Sequence, residues 1–188
     1  MVQHFNFVES DLKGVWQISP FIAQDERGLF IKDYAEDLFL LHGIAHPLKE
    51  VFYTYSKTGV IRALHFQSVK QQAKLVRCVS GKIFDVVVDL RIDSPTYGHW
   101  RSYLLTGENH LELYIPEHFA HGYLVLEDSI VSYKCSEKFY GEYDDGIFWN
   151  DPQLAIPWPV DQVEEVILSE KDLHLKSFKE YSMNLLKF

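Results

Sequence analysis

The sequence has few cysteines, few basic residues and no long hydrophobic run, and each shortage excludes a class of protein. Only two of its 188 residues are cysteines, Cys78 and Cys135, and both stand among apolar residues. Two isolated thiols predict reduced core residues of a cytoplasmic protein rather than a disulfide framework. The 18 lysines and arginines are outnumbered by 27 aspartates and glutamates, which gives a net charge of −9. Because coating a nucleic acid needs clustered basic residues, we expect no nucleic-acid partner.

The chain also lacks the signals of membrane insertion and of division into domains. No segment is apolar over the length that a bilayer requires, so we expect no membrane span. The start of the chain, MVQHFNFVESDLKG, has no charged region followed by an apolar run, and it does not resemble a signal peptide. No repeat, low-complexity tract or linker interrupts the sequence. We therefore predict one cytoplasmic domain over residues 1–188.

Short β-rich runs dominate the sequence, whereas helical periodicity is weak. Residues 74–79 and 83–90 are separated by Ser80-Gly81-Lys82, and residues 122–126 and 130–135 by Glu127-Asp128-Ser129. Both patterns predict hairpins. A further strand is predicted over 111–115, and helices over 34–42 and from about residue 171 onwards. Many short strands without βαβ alternation predict a mostly β fold, an antiparallel jelly-roll barrel with a few short helices.

The stretch GVIRALHFQ, residues 59–67, places two cationic or titratable groups in a run that otherwise has the pattern of a buried strand. A barrel that holds a ligand would give Arg62 and His65 an inward position. Residues three apart lie on opposite faces of a regular strand. The prediction therefore requires a bulge or a strand end between them.

The nine histidines contain no metal-binding pattern. His-x-His, which would place two imidazoles on one face of a strand, is missing, and His118 and His121 are three apart in a predicted turn. His65 and His121 have small and apolar neighbours, and alone either could be a core histidine. The remaining histidines are expected at the surface because their surroundings are polar or terminal: His4, His42, His46, His99, His110 and His174.

Motifs for other chemistries are also missing from the sequence. There is no Gly-x-Ser-x-Gly, no cysteine next to a histidine and no glycine-rich phosphate loop. What remains is acid–base chemistry by imidazole, phenol, ammonium and carboxylate groups, without a metal or an organic cofactor.

Several motifs in order resemble the dTDP-4-dehydrorhamnose 3,5-epimerase family. They are DERGLF, GVIRALHFQ, QAKLVRCVSGKIFDVVVDLR, DSPTYGHW, IPEHFAHGYLVLED, YKCSEKFY, WNDP and LSEKD. The resemblance implies a cupin-like jelly roll without a metal. It also implies a homodimer in which an N-terminal segment reaches the partner's site, and the aromatic segment HFNFV would suit such a swapped strand. The implied substrate is a nucleotide-diphosphate 4-keto sugar, in which a base removes the proton at C3 or C5 and an acid returns it from the opposite face.

The resemblance also implies residue roles. His65 would be the base, oriented by Asp172, Tyr133 would be the acid, and Lys74 would stabilise the enolate oxygen. The implied substrate contacts are Arg27, Phe30, Lys32, Glu50, Phe52, Arg62, Gln67, His121, Asp144 and Lys171. Without the resemblance, Tyr133 could be a strand tyrosine at the rim, Asp172 a helix N-cap and Lys74 a solvated strand residue.

Three positions depart from the family pattern. Ala63 replaces a glycine before Leu-His, Lys32 replaces a glutamate, and Glu50-Val51-Phe52 replaces Gln-x-Asn. Because a lost polar contact changes which ligand fits, we expect the chemistry to be kept with a different nucleotide or sugar. A GDP-linked 4-keto-deoxyhexose or heptose for a surface polysaccharide is one such substrate. Alternative functions are a nucleotide-sugar 3,4-ketoisomerase, a non-catalytic sugar-binding cupin and a metal-dependent dioxygenase.

Overall fold

Antiparallel strands make up most of the protein in this computed structural model, which describes residues 4–185. The strands are β1 Asn6–Glu9, β2 Trp16–Ser19, β3 Phe21–Asp25, β4 Gly28–Lys32, β5 Glu50–Ser56, β6 Ile61–Gln67, β7 Lys74–Asp89, β8 Trp100–Thr106, β9 Glu112–Ile115, β10 Phe119–Cys135 and β11 Asp144–Gly146. The α-helices are α1 Glu36–Leu41 and α2 Phe178–Leu185, and short 3₁₀ helices cover Gly141–Tyr143, Val160–Gln162 and Asp172–His174. The predicted mostly β, antiparallel fold with few helices is confirmed.

Two long strands, β7 and β10, pair with each other and organise the main sheet. The first part of β7 pairs with β9 and its second part with β8. The first part of β10 pairs with β6 and its second part with β5. Residues from both parts pack in one buried cluster, which includes Val76, Ile83, Val125 and Val131. The two halves of the sheet therefore face each other around a common apolar interior.

The two predicted hairpins were wrong, because each predicted turn lies inside a continuous strand. Gly81 is in the middle of β7 and Asp128 in the middle of β10, and the two strands bend at the same level, where their register shifts. Gly81 has a φ of +82°, and a Cβ there would lie 2.2 Å from the carbonyl oxygen of Asp128. Turn-forming residues bend these strands without reversing them because each strand keeps its partner on both sides of the bend.

Other segments cover the outer faces of the sheet. Phe39 of α1 packs with Ile18, Leu75 and Tyr114 on one side. On the other side, residues of the C-terminal segment such as Ile156, Trp158 and Phe178 pack with β6 and with the second part of β7. The long strands β7 and β10 are therefore buried on both faces over most of their length, as their nearly continuous apolar runs require, whereas the edge strand β5 exposes Tyr53 and Tyr55.

The predicted terminal elements are confirmed in part. The first helix and the strand near residue 111 form within the predicted limits. Residues 6–8 of the segment HFNFV belong to β1, which pairs with β2. The C-terminal helix begins only at Phe178, since Asp172 lies in a 3₁₀ helix and Lys176 forms a bridge to Ile147. None of the helices within residues 4–185 is long and apolar enough to cross a membrane.

Two histidines expected at the surface are not exposed. His46 is 2% exposed, and its Nε2 lies 3.0 Å from the backbone oxygen of Lys134. Burial lowers the pKa of His46. His110 is half-buried, and burial also lowers its pKa. Both cysteines are buried, as their apolar neighbours predict.

Candidate active site

A bulge in β6 places Arg62 and His65 on the same side of the strand. His65 pairs with His121 and Arg62 pairs with Tyr123, so β6 advances three residues where β10 advances two. Gly122 lies opposite the extra residue, and a Cβ there would be 2.4 Å from Cβ of Ala63. The predicted bulge is confirmed, and only a glycine fits against it. Both side chains line one pocket of 340 Å³.

The imidazole of His65 lies against a carboxylate from the C-terminal segment. Nε2 of His65 is 2.9 Å from Oδ1 of Asp172, whose side chain is 5% exposed. The backbone N–H of Asp172 donates to Oγ of Ser169, which fixes the start of this 3₁₀ turn. The two atoms are within ion-pair distance but are not aligned as a hydrogen bond, and a carboxylate at this distance favours a proton on the facing Nε2. The lone pair of Nδ1 is then available to accept a proton.

A buried phenol lies in the same pocket. Tyr133 is 7% exposed, and the ring of Phe52 stacks on it with centroids 4.8 Å apart and an interplanar angle of 11°. Burial raises the pKa of Tyr133 well above its usual value, and the neighbouring Tyr123 and Asp85 add to the shift. Tyr133 is therefore held in its protonated form, as an acid must be before it donates.

Lys74 and His121 complete the polar wall. Burial lowers the pKa of Lys74, and its ammonium group has no hydrogen bond with any of the described residues. Nε2 of His121 lies 2.8 Å from Oδ2 of Asp85, and both side chains are buried. Burial raises the pKa of Asp85, and the facing His121 opposes that shift. The pocket thus contains a cation whose charge is not neutralised by a direct ion pair.

The structure brings together ten of the side chains that the sequence nominated. Arg62 donates from Nε to Oγ of Ser56 at 3.0 Å. Lys171 forms an ion pair with Asp144. Gln67 is buried, and its amide group bonds to the backbone of residues 70, 138 and 140. The nominated residues that line the pocket are Phe52, Arg62, His65, Gln67, Lys74, His121, Tyr133, Asp144, Lys171 and Asp172.

Four of the nominated residues do not line this pocket. Arg27, Phe30 and Lys32 belong to the separate two-stranded sheet of β3 and β4. Arg27 pairs with Asp25 at 2.5 Å and its side chain is 86% exposed. Glu50 instead accepts a hydrogen bond from the backbone N–H of Phe139.

Five other residues that line the pocket were not nominated from the sequence. They are Thr54, Phe66, Gln72, Phe139 and Ser169. Strand alternation could have found Thr54, which is two residues from the nominated Phe52 on β5, whereas Gln72 precedes β7 and lies in a loop. Phe139 and Ser169 are in loops, where the pattern gives no direction. Within residues 4–185, no three His, Cys, Asp or Glu side chains are grouped closely enough to hold a metal ion.

The fold defines a cupin-like β protein, and its pocket groups an imidazole, a carboxylate, a phenol and an ammonium. The sequence model of the dTDP-4-dehydrorhamnose 3,5-epimerase family matches residues 9–180. The dTDP-4-dehydrorhamnose 3,5-epimerase of Methanothermobacter thermautotrophicus is 46% identical over 177 residues, which cover 94% of this chain and 96% of the relative. The chain therefore belongs to the dTDP-4-dehydrorhamnose 3,5-epimerase family, whose members are carbohydrate epimerases.

Two crystal structures extend the comparison to bound ligands. The dTDP-6-deoxy-D-glucose-3,5-epimerase of Legionella pneumophila, in complex with dTDP-4-keto-L-rhamnose, superposes with a TM-score of 0.92 at 38% identity and covers 97% of both chains. ChmJ, a 3'-monoepimerase of Streptomyces bikiniensis in complex with dTDP-quinovose, superposes with a TM-score of 0.87 at 28% identity. It covers 95% of this chain and 90% of its own.

Proposed function

We propose that this protein epimerises a dTDP-linked 4-keto-6-deoxy sugar at C3, at C5 or at both. The observation that carries the proposal is the contact between His65 and Asp172 in the pocket that also contains Tyr133. The C4 carbonyl of such a sugar acidifies the hydrogens at C3 and C5, so that a histidine can remove one of them. The relative crystallised with dTDP-4-keto-L-rhamnose supports this substrate class.

The reaction assigns one step to each polar group. Nδ1 of His65 takes the proton from carbon, and Asp172 stabilises the resulting imidazolium. The negative charge moves to the C4 oxygen, where the ammonium of Lys74 stabilises it. Tyr133 then donates its proton to the same carbon from the opposite face. Arg62 and Lys171 are the proposed contacts to the diphosphate, and Gln67 positions the surrounding loops.

The identity of the nucleotide depends on two positions that depart from the family pattern. The departures at Lys32 and Phe52 led us to expect a different nucleotide, such as GDP. The ligands of both crystallised relatives, however, are dTDP sugars. We therefore take dTDP as the nucleotide. Calorimetry with dTDP and with GDP tests the choice, since tighter binding of GDP would reverse it.

Inversion is tested by incubating the protein with a dTDP-4-keto-6-deoxy sugar in deuterium oxide. NMR shows which carbon acquires deuterium and whether the carbonyl stays at C4, which separates an epimerase from a 3,4-ketoisomerase. His65→Ala should abolish exchange while dTDP binding remains, and Tyr133→Phe should slow inversion more than proton removal. His99→Ala, which changes an exposed histidine outside the pocket, is the matched control. Exchange that persists in His65→Ala would show that another group is the base.

A homodimer is the second part of the proposal. The β3–β4 hairpin carries Phe30 with 57% of its surface exposed, and neither Phe30 nor Arg27 lines the pocket of its own chain. We assign them to the site of a second copy. Mixing an Arg27→Ala/Phe30→Ala variant with His65→Ala should restore activity, because a hybrid dimer has one site with both an intact arm and an intact base. If mixing restores nothing, the hairpins do not cross.

We also propose that the chain forms one domain and acts in the cytoplasm. The shared strands β7 and β10 contribute to both sides of the sheet, which supports a single unit. The two free, buried thiols suit a reducing compartment. One cooperative unfolding transition and activity in a cytoplasmic cell fraction are the expected results.

A further inference from the structure

The β3–β4 hairpin carries apolar side chains that its own chain leaves exposed. Among residues 4–185, its two strands pair only with each other, in a sheet separate from the main one. Ile22, Leu29 and Phe30 on these strands are all exposed. Because no ladder of hydrogen bonds joins the hairpin to the main sheet, its direction depends on the residues at its two ends.

Asp33, the residue that follows β4, contacts two cations of the main sheet. Its Oδ2 accepts a hydrogen bond from Nζ of Lys134 on β10 at 2.7 Å and lies 3.5 Å from Nη1 of Arg77 on β7. The side chains of Lys134 and Arg77 are only 11% and 9% exposed. A cation that has lost most of its water needs a counter-charge, and separating the two is costly. Asp33 therefore ties the end of the hairpin to the main sheet.

Tyr34, the next residue along the chain, ties the same end to β10 a second time. Its hydroxyl donates to the backbone oxygen of His46 at 2.7 Å, and Nε2 of the buried His46 donates to the backbone oxygen of Lys134 at 3.0 Å. Lys134 is thus held through its ammonium by Asp33 and through its carbonyl by His46. The contacts close a ring, and a closed ring of buried hydrogen bonds favours a single geometry.

Glu112 lies beside the same cations and can replace Asp33 as a counter-ion. Oε1 of Glu112 is 3.5 Å from Nζ of Lys134, and its side chain is fully buried. Burial raises the pKa of Glu112 well above its usual value, Lys134 opposes that shift, and the charge of Asp33 adds to it. Without the charge of Asp33, Glu112 ionises more readily beside Lys134. Loss of that charge should therefore release the hairpin without leaving the buried ammonium unpaired.

We propose that Asp33 is a positioning residue that directs the β3–β4 hairpin of one copy toward the site of the other. The inference rests on the proposed homodimer, in which Arg27 and Phe30 belong to the site of a second copy. These two residues precede Asp33 by six and by three positions, so a change of direction at Asp33 displaces both.

The anchor acts on binding and not on the chemistry of its own site. Asp33 does not line the pocket of its own chain. Neighbouring side chains on a strand point to opposite faces, so that Lys134 lies away from the proposed acid, Tyr133. The nucleotide in the partner's site is therefore what the anchor affects.

Asp33→Asn tests the anchor by removing its charge with little change in volume. The affinity for dTDP, measured by calorimetry, should fall about tenfold, because a hairpin without a fixed direction must be ordered when the nucleotide binds. KM for the dTDP-4-keto-6-deoxy sugar should rise to a similar degree, while kcat stays within about twofold of the wild type. Asp33→Glu keeps the charge and should restore most of the affinity. Asp37→Asn is the matched control, since Asp37 is exposed on α1 and forms no ion pair within residues 4–185.

Hybrid dimers show which site the anchor serves. When Asp33→Asn chains are expressed with an excess of His65→Ala chains, most Asp33→Asn chains pair with a His65→Ala partner, and only the Asp33→Asn chain has a base. Its pocket receives the intact hairpin of the partner, so KM should return to the wild-type value.

The outcomes separate the anchor from the proposed function. Wild-type dTDP affinity in Asp33→Asn, or a KM that stays raised in the hybrid, would overturn the anchor while leaving the epimerase reaction intact. A fall in kcat with KM unchanged would also overturn it, because Asp33 would then act on the chemistry. The mixture of Arg27→Ala/Phe30→Ala with His65→Ala tests separately whether the hairpins cross. A wild-type protein that binds no dTDP and exchanges no deuterium would refute the proposed function, and the anchor with it.

Discussion

Substitution of Gly122 by alanine tests the bulge that forms the site. The added Cβ would lie 2.4 Å from Cβ and 2.6 Å from Cα of Ala63, and 2.7 Å from the backbone oxygen of Arg62. Two of these three atoms are backbone and cannot rotate away, so strands β6 and β10 must separate. Overpacking costs 1–3 kcal/mol, and we expect the upper end, about 3 kcal/mol.

Urea denaturation followed by circular dichroism measures this cost. With a slope of about 2 kcal/mol per molar, the midpoint should fall by about 1.5 M. Since the bulge sets the positions of Arg62 and His65, deuterium exchange should fall with it. Gly141→Ala is the matched control, because among residues 4–185 the one atom within 4 Å of a Cβ at that position is Cε1 of Phe139, at 3.8 Å. That variant should stay within about 0.5 kcal/mol of the wild type.

A second substitution identifies which contact matters in Gly122→Ala. Adding Ala63→Gly removes the 2.4 Å contact and leaves the two backbone contacts, so the double variant should recover about 1 kcal/mol. A Gly122→Ala protein with an unchanged urea midpoint and unchanged exchange would refute the reasoning, since it would mean that the strands accommodate a methyl group without moving.

Three further substitutions test a buried carboxylate, the carboxylate beside His65 and the ring that stacks on Tyr133. Burial alone would raise the pKa of Asp89, but its hydrogen bonds to an arginine and two hydroxyls lower the pKa from 3.8 to about 2. This net shift corresponds to about 2.4 kcal/mol. Asp89→Asn should lose about that stability in denaturation at pH 7. Because the pKa of Asp89 is lower in the folded state, the wild type loses the same stability as the pH falls from about 4 through 2. If the stability difference between wild type and Asp89→Asn were equal at pH 7 and pH 2, Asp89 would not be the source of that stability. Asp172→Asn should lower kcat about a hundredfold or more with dTDP affinity retained, and wild-type turnover would mean that His65 needs no carboxylate. Phe52→Ala should lower kcat about fivefold. It should also move the alkaline limb of the pH–rate profile to lower pH, because water that reaches Tyr133 lowers the pKa of its phenol. An unmoved limb would show that the ring of Phe52 does not shield Tyr133 from water.

The sequence predicted which residues line the pocket better than it predicted where the strands begin and end. The polar residues of GVIRALHFQ located a strand that lines the pocket and required a bulge or a strand end between Arg62 and His65, because residues three apart lie on opposite faces of a regular strand. The bends at Gly81 and Asp128 resembled turns because the same residue types serve both purposes. What distinguishes a bend from a reversal is pairing with a distant strand, which the local sequence does not contain.

The buried His46 and the pocket residues that were not nominated have a related explanation. His46 is buried through a bond to the backbone of β10, far along the chain, so its polar neighbours in sequence were misleading. Thr54 follows the two-residue period of β5 and could have been predicted from Phe52, whereas Gln72 precedes β7, where no such period applies.

The contact between His65 and Asp172 joins an early strand to a segment near the end of the sequence. During synthesis the imidazole emerges from the ribosome long before the carboxylate that it contacts. Docking of the segment that carries Asp172 is therefore a late event in maturation, and the contact forms only after all eleven strands have been synthesised.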